Sequence, residues 1–277
     1  MRTTKDRMEI ASANDGVWSA LSLCLHHFST HFHSQPVQVL ANGALSSHTV
    51  TWAVGVLTDG DWEPLGAWPG AAFGLAFWQS VRADLLDRGV EKLSWVNTPD
   101  LEHGAALFPE IRLLPPFPRV LGPGYASPRS SLGALRASAR RAVRGACGVR
   151  SARVALSRVL SQAGRGTVLA PDWPLVLEQL RPFYALKPQR RAVVRQGDEL
   201  LEPLQVFVHR AVRRHGPFAD LDAAARFVGW TLCQTQGRVE SALYAQTVRA
   251  DLAAMRRRAA AVDVIDAASA AASRLAA

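Results

Sequence analysis

The residues with the clearest chemical potential lie in one stretch, 190–229, where an acidic cluster is surrounded by arginines. Glu202 stands at the head of an apolar-periodic segment and is preceded by Asp198 and Glu199. Carboxylates suit Mg²⁺, and arginine suits phosphate, so this composition fits a metal ion held beside a polyanion. The arginines predicted to contact the polyanion are Arg190, Arg191, Arg195, Arg210, Arg213 and Arg214.

The same stretch also has a purely structural interpretation. Pro203 follows Glu202 directly, and proline favours the first turn of a helix, so Glu202 can serve as an N-cap. The apolar periodicity that follows is typical of an amphipathic helix, and the turn at 216–218 leads into a second helix. The metal-ligand and helix-cap roles of Glu202 are therefore both open at this point.

The overall composition favours a nucleic-acid partner. Hydrophobic residues make up 48% of the 277, enough for a sizeable core, and the net charge of +9 comes mainly from arginine. An arginine excess indicates DNA, although a high-GC genome gives the same enrichment without a functional cause. Cys24, Cys147 and Cys233 are far apart, which argues against a disulfide framework or a Cys-rich zinc site.

The chain shows no pattern that directs it to a membrane. The first residues lack the apolar stretch of a signal peptide, and no apolar run reaches the length of a membrane span. We expect a cytoplasmic protein with no membrane partner. The sequence leaves homo-oligomerisation open.

The first 36 residues are predicted to form an N-terminal helical segment. Apolar residues at helical spacing favour a helix over 17–32. A histidine cluster near its end could bind a metal, but no acid or cysteine lies nearby to complete a site, so a polar helix end is the alternative. The cluster consists of His26, His27, His31 and His33.

Residues 37–110 read as an α/β unit. Residues 41–43 (Ala-Asn-Gly) are typical of a turn after the first strand, Asp59 and Gly60 form a hairpin turn between two strands, and Gly89 ends an amphipathic helix. This order predicts a mixed sheet with a packed helix. The expected elements are strands at 37–40, 49–57, 62–68 and 93–96 and a helix at 73–88.

The second half of the chain is predicted to be mainly helical. Five prolines and two glycines in 111–128 predict an irregular linker, and the arginine-rich stretch 130–161 predicts a basic helix that faces either phosphate or solvent. A helix is expected over 173–184, and an Ala/Arg-rich helical tail over 249–277. The expected segments are 1–36, 37–110, 111–182, 183–248 and 249–277.

Two segments carry longer patterns. The first, 53–93, reads AVGVLTDGDWEPLGAWPG and then AFWQSVRADLLDRGVEKL, and the second, 183–229, begins FYALKPQRRAVVRQGDELLEPLQ. They resemble two blocks of the mutator-type transposases of bacterial insertion sequences. One block has a strand A-V-G-V-x-x-D-G-x-x-E-x-L-G followed by an F-W…R-G helix. The other reads F-Y-x-x-P…E-x-x-N-x-x-x-R-R-R…R-L-V-G.

The resemblance implies an RNase H-like α/β core with a mixed sheet, a mainly helical insertion and a helical C-terminal part. Transposases of this type hold two divalent metals with two aspartates and a glutamate and attack phosphodiester bonds in line. By resemblance, the glutamate falls on Glu202 and the second aspartate on Asn97, with Asp100 three residues further on. The first aspartate falls near Ala41 or Asn42, where there is no acid.

Three functions follow as alternatives. The first is a transposase-related protein that binds DNA and has lost DNA recombination chemistry, because two of three acids are missing. The second is an active nuclease or recombinase that uses Mg²⁺, with Asp100 and Asp198, or Asp59, replacing the missing acids. The third is a non-enzymatic basic interaction protein.

Overall fold

A five-stranded mixed sheet lies at the centre of the described residues, which are 22–115, 131–161 and 173–236 of the computed structural model. The chain divides into two compact units, 1–233 and 234–277, and nearly all described residues belong to the first. The tail predicted to be helical at 249–277 and most of the proline-rich segment lie outside the described residues.

The sheet has the strand order β3-β2-β1-β4-β5. Strands β1, β2 and β3 form an antiparallel meander, whereas β4 is parallel to β1 and β5 is parallel to β4. The α/β prediction with a mixed sheet is therefore confirmed. The strands are β1 His26–Ala41, β2 Ala44–Val56, β3 Trp62–Pro69, β4 Lys92–Asn97 and β5 Arg112–Leu114.

The helix predicted over 17–32 is wrong from residue 22 onward, because 22–25 are not helical and the histidine cluster lies in the long strand β1. The part predicted at 17–21 lies outside the described residues. The boundary predicted between residues 36 and 37 consequently falls inside that strand. Asn42 and Gly43 have φ of 51° and 77°, the left-handed values that a two-residue hairpin turn requires. The turn was predicted, but the strand before it is much longer than the predicted 37–40.

Helices pack against both faces of the sheet. Helix α1 packs Trp78, Val81 and Leu85 into an apolar cluster with Phe32 and Trp68 of the sheet. The helices are α1 Leu75–Asp87, α2 Ser131–Gly145, α3 Val149–Ser161, α4 Trp173–Gln179, α5 Arg181–Tyr184, α6 Pro188–His215 and α7, described over 221–236. A short 3-10 helix, Gly104–Ala106, lies between β4 and β5.

The second half of the chain is mainly helical where the structure describes it, as predicted, and two details differ. Strand β5 lies inside the predicted irregular linker 111–128, and the helix predicted over 173–184 is divided into α4 and α5 at Leu180. A second apolar cluster joins Trp95 and Leu114 of the sheet to residues of the five helices α2 to α6. The inserted helices therefore share a core with the sheet.

The described helices do not include one that is both long enough and apolar enough to cross a bilayer.

Candidate functional site

The candidate site lies where α6 crosses the junction of β1 and β4. His31 on β1 is the residue paired with Asn97 at the end of β4. Gly197 of α6 faces the His31 ring so closely that an added Cβ would lie 2.2 Å from Nε2. A glycine at this position is therefore what allows the helix to approach the strand. The site is built from elements that are far apart in the sequence.

Two histidines of β1 face α6 and are held neutral. Burial, with a smaller contribution from the charge of Arg144, lowers the pKa of His31 to about 3. Burial alone lowers the pKa of His33 to about 4. The Oγ of Ser29 lies 2.6 Å from Nε2 of His31, and Gln205 of α6 donates to Nδ1 of His33 over 3.1 Å. At neutral pH, these imidazoles add polar atoms but no charge.

Two of the three acids of α6, Asp198 and Glu202, are paired with arginines of α2. Asp198 forms an ion pair with Arg144, and both side chains are buried. Glu202, whose side chain is 51% exposed, forms an ion pair with Arg140. The pKa of Arg144 falls to about 9, because burial, and the neighbouring charges of Arg140 and Arg195, outweigh the opposing effect of Glu199. Arg144 therefore remains a cation at neutral pH.

Glu202 is not the helix cap that the sequence left open as one of its two roles. It lies within α6, fourteen residues after the helix begins at Pro188, so it is not an N-cap, and Pro203 sits inside the helix. The proline removes one backbone donor, but eight buried residues on the opposite face hold the helix against the sheet. The structural interpretation was wrong in detail, although the amphipathic helix was predicted correctly.

Asn97 lies at the end of β4 as predicted, only 2% exposed. Its neutral carboxamide, next to Thr30 and His31 on the neighbouring strand, is a poorer ligand for Mg²⁺ than a carboxylate would be. The residue across from it on β1 is His31, ten positions before Ala41. The position expected for a first acid, near Ala41 or Asn42, is instead the exposed hairpin tip.

Asp100 is committed to a structural role. Its Oδ2 accepts hydrogen bonds from the Gly74 amide and the Trp78 indole, both at 2.9 Å. Its Oδ1 accepts from the amides of Glu102 and His103. Burial raises the pKa of Asp100, but these hydrogen bonds outweigh it and lower the pKa to about 2. Asp100 thus joins the loop after β4 to the start of α1, which uses its oxygens as acceptors.

The six arginines predicted to bind a polyanion do not form one group. Arg191 donates to the carbonyl oxygen of Ala146, and the Arg190 guanidinium lies 5.9 Å from the Phe28 ring centroid. Arg195 and Arg210 are fifteen residues apart, which is about 22 Å along a helix. Arg190, Arg191 and Arg195 thus lie in the first half of α6. The other three lie near its C-terminal end and are exposed: Arg210, Arg213 and Arg214.

The described side chains at this site do not fit a divalent metal. Asp198 and Glu202 are neutralised by arginine, His31 is a buried nitrogen donor, and Asn97 is uncharged. Within 22–115, 131–161 and 173–236, no group of three His, Cys, Asp or Glu side chains could hold a metal ion. A guanidinium supplied by α2 balances the carboxylate charge instead.

The sequence did not single out Arg144 or assign His31 to this site. Arg144 is 54 positions from its partner Asp198, so no local pattern connects the two. For His31 the sequence did contain a weak indication. Polar residues occur at every second position at His27, Ser29, His31 and His33, which is the spacing of side chains on one face of a strand.

Replacing Gly197 with alanine should lower the free energy of unfolding by about 1–3 kcal/mol, because the new methyl group overlaps the His31 ring. The same change in an open helix normally stabilises by about 1 kcal/mol. Denaturant unfolding of the variant shows whether its free energy of unfolding falls or rises relative to the parent. Gly145→Ala in α2 is the control, since an added Cβ there meets no atom within 4 Å. A Gly197→Ala variant at least as stable as the parent would contradict this packing.

No protein-family model matches the chain, and no curated protein is significantly similar to it. Its function must therefore be inferred from the fold and the site.

Proposed function

We propose that the chain is a DNA-binding relative of the mutator-type transposases that has an RNase H-like core and has lost metal-dependent strand transfer. The observation that carries the proposal is the meeting of three elements. By resemblance, the family's acids belong on the strand before the hairpin, at the end of the strand after the R-G turn, and on the helix that follows the insertion. In this chain β1, β4 and α6 correspond to these elements, and they come together at His31, Asn97 and Gly197.

The contacts of the acids favour a protein that binds DNA without cutting it. In-line attack on a phosphodiester uses two metals held by shared carboxylates. Here Asp198 and Glu202 are paired with Arg144 and Arg140, and neither His31 nor Asn97 supplies a negative charge. The retained basic residues still favour association with phosphate.

The alternative of an active nuclease with substituted acids receives less support. Asp100 has both carboxylate oxygens engaged at the start of α1, and Asp198 is in a buried ion pair. Asp59 accepts a hydrogen bond from the Asp61 amide in the β2–β3 turn. Each of these three carboxylates therefore already has a partner within the protein, which does not favour its acting as a metal ligand.

The test is to incubate the protein with a labelled DNA duplex, with and without Mg²⁺ or Mn²⁺, beside a Glu202→Ala variant. We expect binding at low salt that weakens as salt rises, and no cleavage or joining with either metal. The melting temperature should also not rise with millimolar Mg²⁺, since a ligand that binds the folded state stabilises it.

Two results would contradict the proposal. Metal-dependent cleavage that Glu202→Ala abolishes would mean that the acids are catalytic after all. Failure to bind duplex DNA at low salt would contradict a nucleic-acid function and favour the third alternative, a non-enzymatic basic interaction protein.

A further inference from the structure

The positive charge of the chain is concentrated in one segment. Residues 111–171 contain eleven of the 32 basic residues, all arginine, and none of the 23 acidic ones. The remainder of the chain therefore has 21 basic and 23 acidic residues and a net charge of −2. Genome composition alone would spread arginine along the whole chain. The charge of this segment therefore favours a polyanion-binding surface on α2 and α3, which carry seven of its eleven arginines.

The arginines of α2 and α3 divide into an inward and an outward set. Arg140 and Arg144 of α2 are paired with the acids of α6. On α3, by contrast, one face buries Ala152 and Leu156, and the opposite face is exposed. That exposed face presents Arg150, Arg153, Val154, Ser157, Arg158 and Ser161.

The outward face of α3 has the chemistry of a phosphate-contacting surface. Arg153 forms an ion pair with Glu178 at 3.4 Å. The pair is exposed and therefore weak, so a phosphate can replace Glu178 as the partner of Arg153. A shallow hollow of about 470 Å³ on this face is lined by Arg153, Val154, Ser157, Arg158 and Ser161. Arginine and serine are common donors to the phosphates of DNA.

The composition of this face favours a duplex over a single strand. Proteins that bind single-stranded nucleic acid stack the bases on aromatic side chains. Residues 131–161 contain no Phe, Trp or Tyr. A helix with small residues between its arginines can instead approach a double-stranded backbone closely, and α3 is long enough, at about 20 Å, to cross a groove.

We propose that the exposed face of α3, through Arg150, Arg153 and Arg158, is the surface that binds the phosphate backbone of duplex DNA. This inference rests on the proposed function, because it assigns DNA binding to a particular helix. It also moves the principal contact from α6, where the sequence placed it, to the insertion.

Two triple variants with equal charge loss test the assignment. One carries Arg150→Ala, Arg153→Ala and Arg158→Ala on α3, and the other carries Arg210→Ala, Arg213→Ala and Arg214→Ala on α6. All six arginines are exposed on helices, where alanine is well tolerated, so both variants should fold. The affinity for a duplex is measured by fluorescence anisotropy across a range of salt concentrations.

We expect the α3 variant to lose roughly ten- to a hundredfold in affinity, and the slope of log K against log salt to become shallower by about two to three. The α6 variant should lose less than about threefold. Equal losses, or a larger loss from the α6 variant, would overturn the assignment to α3 and leave the proposed function intact.

Two further outcomes separate this inference from the proposed function. Tighter binding to single-stranded DNA or to RNA than to the duplex would overturn the duplex assignment. A parent protein that binds no duplex at low salt would overturn both proposals.

Discussion

Arg144→Met is expected to lower the free energy of unfolding by about 3–5 kcal/mol, because it leaves Asp198 buried without a counter-charge. Arg144 and Asp198 form an ion pair with both side chains out of solvent. Methionine retains much of the volume of arginine, so the loss should come from the uncompensated charge. Urea unfolding at neutral pH measures it.

A second substitution tests whether charge is the cause. Arg144→Met combined with Asp198→Leu replaces both charges by apolar groups, and such replacements are often neutral or stabilising. We expect the double variant to recover most of the lost stability. Arg141→Met, at an exposed position of the same helix, is the control and should change stability by less than about 0.5 kcal/mol. A double variant as unstable as Arg144→Met alone would mean that the loss comes from packing.

Stability should fall as the pH drops from about 6.5 towards 4. His31 and His33 have folded-state pKa values of about 3 and about 4, below the usual 6.5. At a pH between the folded-state pKa and 6.5, each histidine binds a proton in the unfolded chain and stays unprotonated in the folded chain. Each histidine therefore contributes a loss of about 1.4 kcal/mol per pH unit in this window. Asp100, whose folded-state pKa is about 2, adds a further loss only below about 4.

Urea unfolding between pH 7 and pH 4.5 measures this slope. His31→Gln and His33→Gln should each reduce it by about 1.4 kcal/mol per pH unit, because each removes one titrating group. His48→Gln, at an exposed site near the hairpin tip, should leave the slope unchanged. A slope that persists in the double variant His31→Gln/His33→Gln would show that other groups cause the acid sensitivity.

Local patterns predicted the elements whose hydrogen bonds form between neighbouring parts of the chain. Residue types and spacing predicted the turns at Asn42-Gly43 and Asp59-Gly60, strand β2 between them, and helix α1. Strand β1 was misread because Trp18, Leu21, Leu25 and Phe28 repeat at helical spacing. Its pairing with β4, more than sixty residues later, is a tertiary interaction that no short window contains.

The candidate site could be predicted only in part, for a related reason. Glu202 and Asn97 were proposed as candidate site residues, and the elements that carry them do converge. The partners that determine their chemistry are distant: Arg140 pairs with Glu202 across 62 positions. Asp100 was proposed as a substitute ligand because it is close in sequence, yet its hydrogen bonds to Gly74 and Trp78 turn it towards α1. Proximity along the chain did not reveal the direction of the side chain.

The ion pairs between α2 and α6 make the inserted helices inseparable from the sheet. In sequence, the segment between β5 and α6 looks like a removable module. In the folded protein it neutralises Asp198 and packs beside Trp95 and Leu114. Excising it would expose an unpaired acid and part of the apolar core, so a minimal sheet domain should not fold by itself. For the same reason, Asn97→Asp would not by itself create a metal centre, because Arg144 would still neutralise Asp198. A metal centre at this site would require matched changes in two segments of the chain.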